Sequence, residues 1–293
     1  MLTSDQLIDF LKEKIKPNNS PIALEQILKE IIMEKNGFDE KQAGIETAKL
    51  KIEVANKLDD LLMNNRKSGN YPWFNFYQGK SYVRGPFHTD FTDEEVEREE
   101  KAKLATYFEQ MKNILKEITF KEFEEVCGAI LSLLGAKDYK RTPHSNDQGI
   151  DFFGTIPLSD LSNSEYPFVQ FQHNFILWVI GQAKHYPGRL VGTEELRSLV
   201  GSISLARFGE YATEGMVSNN VKLRSLDPIL ALFMTTGDYS APSKYLAQKS
   251  GIILKNIDDI SYLLIRNDIG IGFLSGVNKE SLVHWAKETL KKI

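Results

Sequence analysis

The sequence predicts a mixed α/β fold, in which a sheet is flanked by helices, preceded by a mainly helical N-terminal domain. Residues 1–118 carry apolar side chains at helical spacing, whereas residues 119–293 alternate helical stretches with short apolar segments typical of strands. The chain of 293 residues is long enough for two domains of about 100–200 residues each. We therefore predict a domain boundary between residues 118 and 119.

The composition is that of an ordinary globular protein and excludes several kinds of site. Hydrophobic residues make up 42% of the chain and charged residues 26%. Cys127 is the only cysteine, which excludes a disulfide framework and a cysteine-based zinc site. The chain has no run of about 18 apolar residues, and its N-terminus lacks the pattern of a secretory signal, so we expect a cytoplasmic protein.

The net charge of −4 argues against a protein that binds a polyanion through bulk charge. Most of the negative excess lies in the N-terminal part, because residues 1–115 hold 17 basic and 20 acidic residues and leave 19 and 20 for the remainder. A local basic cleft in the C-terminal domain is therefore compatible with the composition.

The N-terminal domain is predicted to begin with three helices. Ser4 is placed to cap the first helix. A serine followed by a proline at position 21 indicates the start of the second, which ends at Gly37. The third runs from about 40 to 64. The aromatic segment 70–88 is interrupted by glycines and prolines, which favour a hairpin or an irregular layer over a helix.

The C-terminal domain is predicted to open with a capping box, Thr119-x-x-Glu122, and a helix that ends at Gly135. The apolar run 175–180 is nearly continuous, so we expect a strand buried on both faces. Further strands are predicted at 138–142, 150–156, 228–235 and 251–254, and further helices at 193–207 and 240–249.

Three polar residues follow or precede predicted strands. Gln182 and Lys184 are two apart, so they project from the same face of a strand, and Asp151 enters a second strand. If the two strands are neighbours, a carboxylate, an amide oxygen and a lysine share one edge of the sheet. Because Mg²⁺ takes oxygen ligands and is often held by one or two carboxylates, we predict a magnesium site there.

These residues carry a resemblance to a known family. Phe123-Glu124 lies in a helix, Asp147 to Asp151 reads Asp-x-Gly-Ile-Asp, and Gln182-Ala183-Lys184 follows an apolar strand. In this order they resemble the Mrr-like (type IV-like) restriction endonucleases of the PD-(D/E)xK nuclease superfamily. The stretch from Phe233 to Ile252 is similar to a later strand–helix–strand part of the same family, so that the resemblance covers roughly 119–264.

The resemblance implies a restriction-endonuclease-like fold and a role for each motif residue. Asp151 would be the principal metal-binding carboxylate. Gln182 would replace the usual acidic residue and bind the metal or its water through the side-chain oxygen. Lys184 would hold the attacking water and stabilise the developing negative charge. Glu124 would complete the site, and the backbone carbonyl of Ala183 is a further candidate ligand.

Each of these residues also has a structural interpretation. Asp151 would then end a turn, Gln182 would satisfy backbone groups, and Lys184 would be a surface lysine. Glu124 would be solvated, with Glu125 as its competitor for the site.

Candidate DNA contacts are basic residues that cluster near the motifs, namely Lys140, Arg141, His144, His185 and Arg189. The two histidines are equally compatible with ordinary surface positions. In the N-terminal domain, aromatic and basic side chains are candidates for stacking on bases or for holding a flipped base, with the core of the domain as the alternative. They are Trp73, Phe74, Phe76, Tyr77, Lys80 and Arg84.

The function that the resemblance implies is Mg²⁺-dependent hydrolysis of DNA phosphodiester bonds, with Mn²⁺ as a substitute ion, in restriction or defence against foreign DNA, modified DNA included. We expect a homodimer, because cutting both strands requires two active sites. The alternatives are a DNA-binding protein that keeps the nuclease fold with an idle metal site, and a nuclease for RNA or branched DNA.

Overall fold

The structure is a computed structural model that describes residues 2–142, 149–157, 176–208, 221, 223–272 and 276–291. The chain divides into two compact units, Met1–Phe108 and Glu109–Ile293. The division lies ten residues before the predicted boundary, within a helix that runs through Glu95–Glu117.

The first unit consists of helices and a small antiparallel sheet. The first elements of the chain are α1 (Ser4–Lys14), β1 (Ile22–Ala23), α2 (Leu24–Asn36), α3 (Glu40–Lys67), β2 (Asn75–Tyr77), β3 (Tyr82–Arg84) and α4 (Glu95–Glu117), which continues past the division. The strands of the sheet are arranged in the order β1-β3-β2.

Two predicted helix starts in this unit are wrong. Thr3, and not Ser4, provides the N-cap of α1. The second helix begins at Leu24 and not at the serine–proline pair, because the preceding residues pair with β3 as the strand β1. Its predicted end is confirmed, since Gly37 adopts the left-handed conformation (φ 66°) that favours glycine.

The aromatic segment forms the predicted hairpin, β2–β3. Phe74 is fully buried in the core formed with α1, α2 and α3, and Trp73 and Phe76 pack against that core. The guanidinium of Arg84 lies over the ring of Tyr77, 5.1 Å from its centre. Most of this segment therefore serves the packing of its own unit, which favours the structural interpretation.

The second unit is built around a five-stranded sheet in the order β10-β8-β6-β5-β4. Strands β4, β5 and β6 pair antiparallel, and β6, β8 and β10 pair parallel. The elements are α5 (Phe120–Leu133), β4 (Lys137–Arg141), β5 (Phe152–Pro157), β6 (Ile176–Lys184), β7 (Leu190–Val191), α6 (Thr193–Phe208), β8 (Ile229–Thr235), β9 (Asp238–Tyr239), α7 (Ala241–Ser250), β10 (Ile252–Lys255), α8 (Ile257–Arg266), β11 (Ile271–Gly272), β12 (Gly276–Val277) and α9 (Lys279–Lys291).

Both faces of this sheet are covered. On one face, Phe153 of β5 packs in a core with Ala206 of α6. Successive strand residues point to opposite faces, so Phe152 faces the other side, where Gly128 of α5 lies against it. The predicted fold class, a mixed α/β sheet flanked by helices with a helical N-terminal region, is confirmed. No helix in the described part of the chain is long and apolar enough to span a membrane.

Candidate active site

Asp151 lies directly before β5, where its main chain and its side chain join it to neighbouring strands. Its N–H donates to the carbonyl of Gly181 at 3.0 Å, and its carbonyl accepts from the N–H of Thr142 at 2.8 Å. The carboxylate Oδ2 accepts from the N–H of Ala183 at 2.7 Å, and the residue is 3% exposed. The carboxylate of Asp151 is thus fixed against the centre of the Gln-Ala-Lys motif.

Gln182 and Lys184 lie at the end of β6 and share one face of the strand. Gln182 is 4% exposed, and its Oε1 has no hydrogen-bond partner among the described residues. A buried amide oxygen without a partner costs about 1–3 kcal/mol, so this oxygen is suited to bind a cation or a polar ligand. Lys184 is half-buried at the last position of the strand.

Glu124 comes from the start of α5. The predicted capping box is confirmed there, because Thr119 Oγ1 accepts from the N–H of Glu122 at 3.2 Å and a carboxylate oxygen of Glu122 accepts from the N–H of Thr119 at 2.7 Å. Glu124 is 5% exposed, and its Oε2 lies 3.1 Å from Nη1 of Arg141 on β4. A buried carboxylate requires such a partner. Arg141, predicted as a DNA contact, therefore also neutralises Glu124.

Cys127, one helical turn after Glu124, is affected by both acidic residues of the site. Its burial and the negative charges of Asp151 and Glu124 raise the pKa of the thiol well above its usual range. Arg141, which contacts Glu124, pairs with Phe152, the residue after Asp151, so the two carboxylates lie in the same region of the unit. The surroundings of this thiol keep it protonated and unreactive, as the sequence predicts for a residue on the apolar face of the helix.

The raised pKa of Cys127 makes stability depend on pH with a definite sign. The unfolded thiol ionises above about pH 8.5 while the folded thiol stays protonated, so the unfolded state is favoured as the pH rises. Between about pH 7.5 and 9.5, the free energy of unfolding should fall by about 1.4 kcal/mol more in the wild type than in Cys127→Ala. Urea denaturation of both proteins measures this, and a difference between them that is independent of pH would contradict it.

Two of the candidate DNA contacts are exposed. Lys140 projects from β4, and Arg189 follows β6 with its guanidinium over the ring of Tyr186, 4.8 Å from the ring centre. Both side chains are accessible from solvent, as a contact with phosphate requires.

Of the two candidate histidines, only His185 lies within the described residues. Nε2 of His185 lies 3.1 Å from the carbonyl oxygen of Leu115, and its ring packs edge-on against Phe123 at 5.7 Å. His185 therefore connects the end of β6 to the last turn of α4 and to Phe123 of α5. His144, together with Asp147 of the Asp-x-Gly-Ile-Asp motif, lies outside the described residues.

One side chain at the site carries no role in the sequence predictions. Thr235, at the end of β8, is fully buried, and its Oγ1 donates to the carbonyl of Lys184 at 2.8 Å. The stretch Phe233 to Thr236 is part of the sequence resemblance, but nothing in its letters indicates that a hydroxyl there contacts the backbone of a lysine 51 positions earlier.

The oxygen donors in this region fit a hard divalent cation. In the described part of the chain, no three or more histidine, cysteine, aspartate or glutamate side chains form a group that could hold a metal ion. The donor set is instead two carboxylates, Asp151 and Glu124, and the amide oxygen of Gln182, for which the described residues offer no hydrogen-bond donor. This chemistry suits Mg²⁺, which is often bound by one or two carboxylates with water and substrate phosphate as the other ligands.

Residues 115–225 match a family model, Mrr_cat, whose description is restriction endonuclease. This match confirms the predicted resemblance to the restriction endonucleases. The matched region contains Glu124, Asp151, Gln182 and Lys184, whereas Thr235 lies beyond it. No curated protein matches the chain.

Three solved structures of restriction endonucleases are similar to the chain. They are MspJI in complex with a 27-mer oligonucleotide (17% identity, TM-score 0.40, 68% of this chain and 39% of that one), the DNA modification-dependent enzyme AspBHI (13%, 0.39, 75% and 60%) and FokI (11%, 0.36, 90% and 44%). The chain thus spans less than two thirds of the length of each.

Proposed function

We propose that this protein is a Mg²⁺-dependent endonuclease that hydrolyses phosphodiester bonds of DNA. The observation that supports this most is the carboxylate of Asp151 bound to the N–H of Ala183, directly between Gln182 and Lys184. This hydrogen bond holds the carboxylate of Asp151 at the strand end that also carries Lys184, the two residues to which we assign metal binding and activation of water. The match to the restriction endonuclease family model supports a nuclease role independently.

In this proposal the acidic and amide side chains hold the metal ion. Asp151, Glu124 and Oε1 of Gln182 bind it, and the backbone carbonyl of Ala183 is a further candidate ligand. When bound, Mg²⁺ offsets negative charge on the scissile phosphate and makes water a stronger acid. The N–H of Ala183 fixes the Asp151 carboxylate, so that the ligand is oriented before substrate arrives.

Lys184 acts on the attacking water and on the phosphate. Its ammonium group donates hydrogen bonds, which orient the water and stabilise the negative charge that develops on the phosphate oxygens. Arg141 limits the repulsion between Glu124 and the DNA, because it neutralises that carboxylate. Lys140 and Arg189, which are exposed, would contact the DNA backbone, with His144 and His185 as further candidates.

The biological role we propose is restriction of foreign DNA, which includes antiviral defence and places the protein in the cytoplasm. A duplex has two strands to cut, so we propose that two copies of the chain act together as a homodimer. The unit before the nuclease would then supply recognition, of modified bases among others.

Cleavage of plasmid DNA tests the proposal. Supercoiled plasmid, methylated in one sample and unmethylated in the other, should be nicked and linearised in the presence of Mg²⁺ or Mn²⁺ and should remain intact with EDTA. Cleavage of both plasmids would indicate that activity does not depend on methylation. Cleavage of only one would show whether methylation is required or prevents cleavage. No cleavage of either plasmid with any of these ions would contradict the proposal.

A second candidate is a DNA-binding protein with an idle metal site. It is favoured by the ion pair between Glu124 and Arg141, which occupies one of the two carboxylates, and by glutamine at position 182. Calorimetric titration with Mg²⁺ and Mn²⁺ discriminates the two candidates. An idle site predicts that the protein binds DNA but releases or absorbs no heat with either ion and cleaves no DNA. A nuclease predicts both heat of ion binding and cleavage of DNA.

A further inference from the structure

The residue that holds Lys184 in place comes from the neighbouring strand. Lys184 pairs with Thr235 in the parallel ladder between β6 and β8. Thr235 Oγ1 donates to the carbonyl of Lys184 at 2.8 Å and accepts from the N–H of Gly237 at 3.1 Å. The same carbonyl also accepts from the N–H of Thr236 at 3.3 Å. One hydroxyl thus joins the end of β6 to the turn that follows β8.

The turn itself leaves little freedom to the chain after Lys184. A Cβ at Gly237 would overlap the carbonyl oxygen of Arg189 and come within 2.7 Å of that of Tyr186. The segment 185–189 therefore lies directly on the turn. His185, which follows Lys184, is held at 3.1 Å to the carbonyl oxygen of Leu115. The backbone of Lys184 is therefore restrained by the hydrogen bond from Thr235 and by the contact that the next residue, His185, makes with Leu115.

We infer that the Thr235 hydroxyl is a positioning residue for Lys184. Strand ends fray, and a lysine side chain amplifies small rotations of its backbone over its four-carbon stem. Misplacement of a catalytic group by about 1 Å costs on the order of 10²-fold in rate, so an active lysine at the last position of a strand needs a fixed backbone. Thr235 fixes it without touching substrate. This inference rests on the proposed nuclease function.

A purely structural role for Thr235 makes a different prediction. In that case, removing the hydroxyl would lower the melting temperature and leave turnover by the folded protein unchanged. A positioning role predicts instead a fall in kcat with little change in KM, because the lysine acts in the transition state more than in DNA binding. The hydroxyl, and not the size of the side chain, must then be what matters.

The test compares Thr235→Val, which keeps the shape and loses the hydroxyl, with Thr235→Ser, which keeps the hydroxyl. Plasmid cleavage by the full-length protein is followed with Mg²⁺ at a temperature where thermal melts show each variant folded. We expect kcat of Thr235→Val to fall about tenfold or more with KM within about twofold, and Thr235→Ser to retain most of kcat. If the valine variant does not fold, Thr235→Ala takes its place in the comparison.

The outcomes separate the two proposals. A wild type that cleaves, together with a Thr235→Val variant that matches its kcat, overturns the positioning role alone. Equal losses in the valine and serine variants overturn it as well, because the hydroxyl would then be irrelevant. A wild type that cleaves no DNA with any divalent ion overturns the nuclease function and, with it, the role of Thr235.

Discussion

Replacing Lys184 by methionine should reduce plasmid cleavage by about 10³-fold while the protein stays folded. Methionine keeps an unbranched side chain of similar length and removes the ammonium group that orients water and stabilises negative charge. Because Lys184 is half-buried at a strand end, methionine should occupy its place with little loss of packing. Asp151→Asn should cause a loss of similar size, since the amide keeps an oxygen to accept from Ala183 and lacks the charge that binds a cation.

The matched control is Lys291→Met, at the end of α9, where the lysine forms a surface ion pair with Glu288. It should cleave at the wild-type rate. Initial rates of linearisation with Mg²⁺, together with thermal melts of the three variants, measure the effect. A Lys184→Met protein that cuts as fast as the wild type would show that the site is elsewhere. A variant that has also lost its cooperative melt would point to a structural role for that residue.

Most elements of the second unit could be predicted because their signals are local. The apolar run before Gly181 predicts a buried strand, and β6 has the buried residues Val179 and Ile180 at its centre. The Thr119-x-x-Glu122 box predicts the start of α5 to the residue. Such signals depend only on neighbours in sequence, so packing elsewhere does not alter them.

Other features could not be predicted because they depend on distant partners. Residues 22–23 become a strand only because β3 offers unpaired backbone groups, which overrides the helix start signal before them. No pattern in the sequence indicates that Arg141 neutralises Glu124, 17 positions earlier, or that α9 packs on α5. The motifs predict which residues form the candidate site. They do not indicate that the N–H of Ala183 holds the carboxylate of Asp151, or that the hydroxyl of Thr235 holds the backbone of Lys184.

Gly181→Ala should lower the free energy of unfolding of the second unit by about 3 kcal/mol. A Cβ at this position would overlap ring atoms of Phe152 and come within 2.9 Å of the carbonyl oxygen of Leu232. Phe152 is fully buried and lies against Gly128 of α5, so its ring has no open space to enter. Overpacking of this kind typically costs about 1–3 kcal/mol, and the backbone contact adds to it.

Urea denaturation measures this loss, and Gly201→Ala is the matched control. Gly201 lies within α6, and no atom of the described residues lies within 4 Å of an added Cβ, so its replacement should raise the free energy of unfolding by about 0.5–1 kcal/mol. Phe152→Leu in the Gly181→Ala background should recover part of the loss, giving a coupling energy above about 1 kcal/mol in a double-mutant cycle. Independent, additive effects of the two substitutions would contradict the contact. Gly181 immediately precedes Gln182, so the overlap with Phe152 should also displace the backbone that carries the candidate metal ligand. The Gly181→Ala variant should therefore lose cleavage activity even under conditions in which it remains folded.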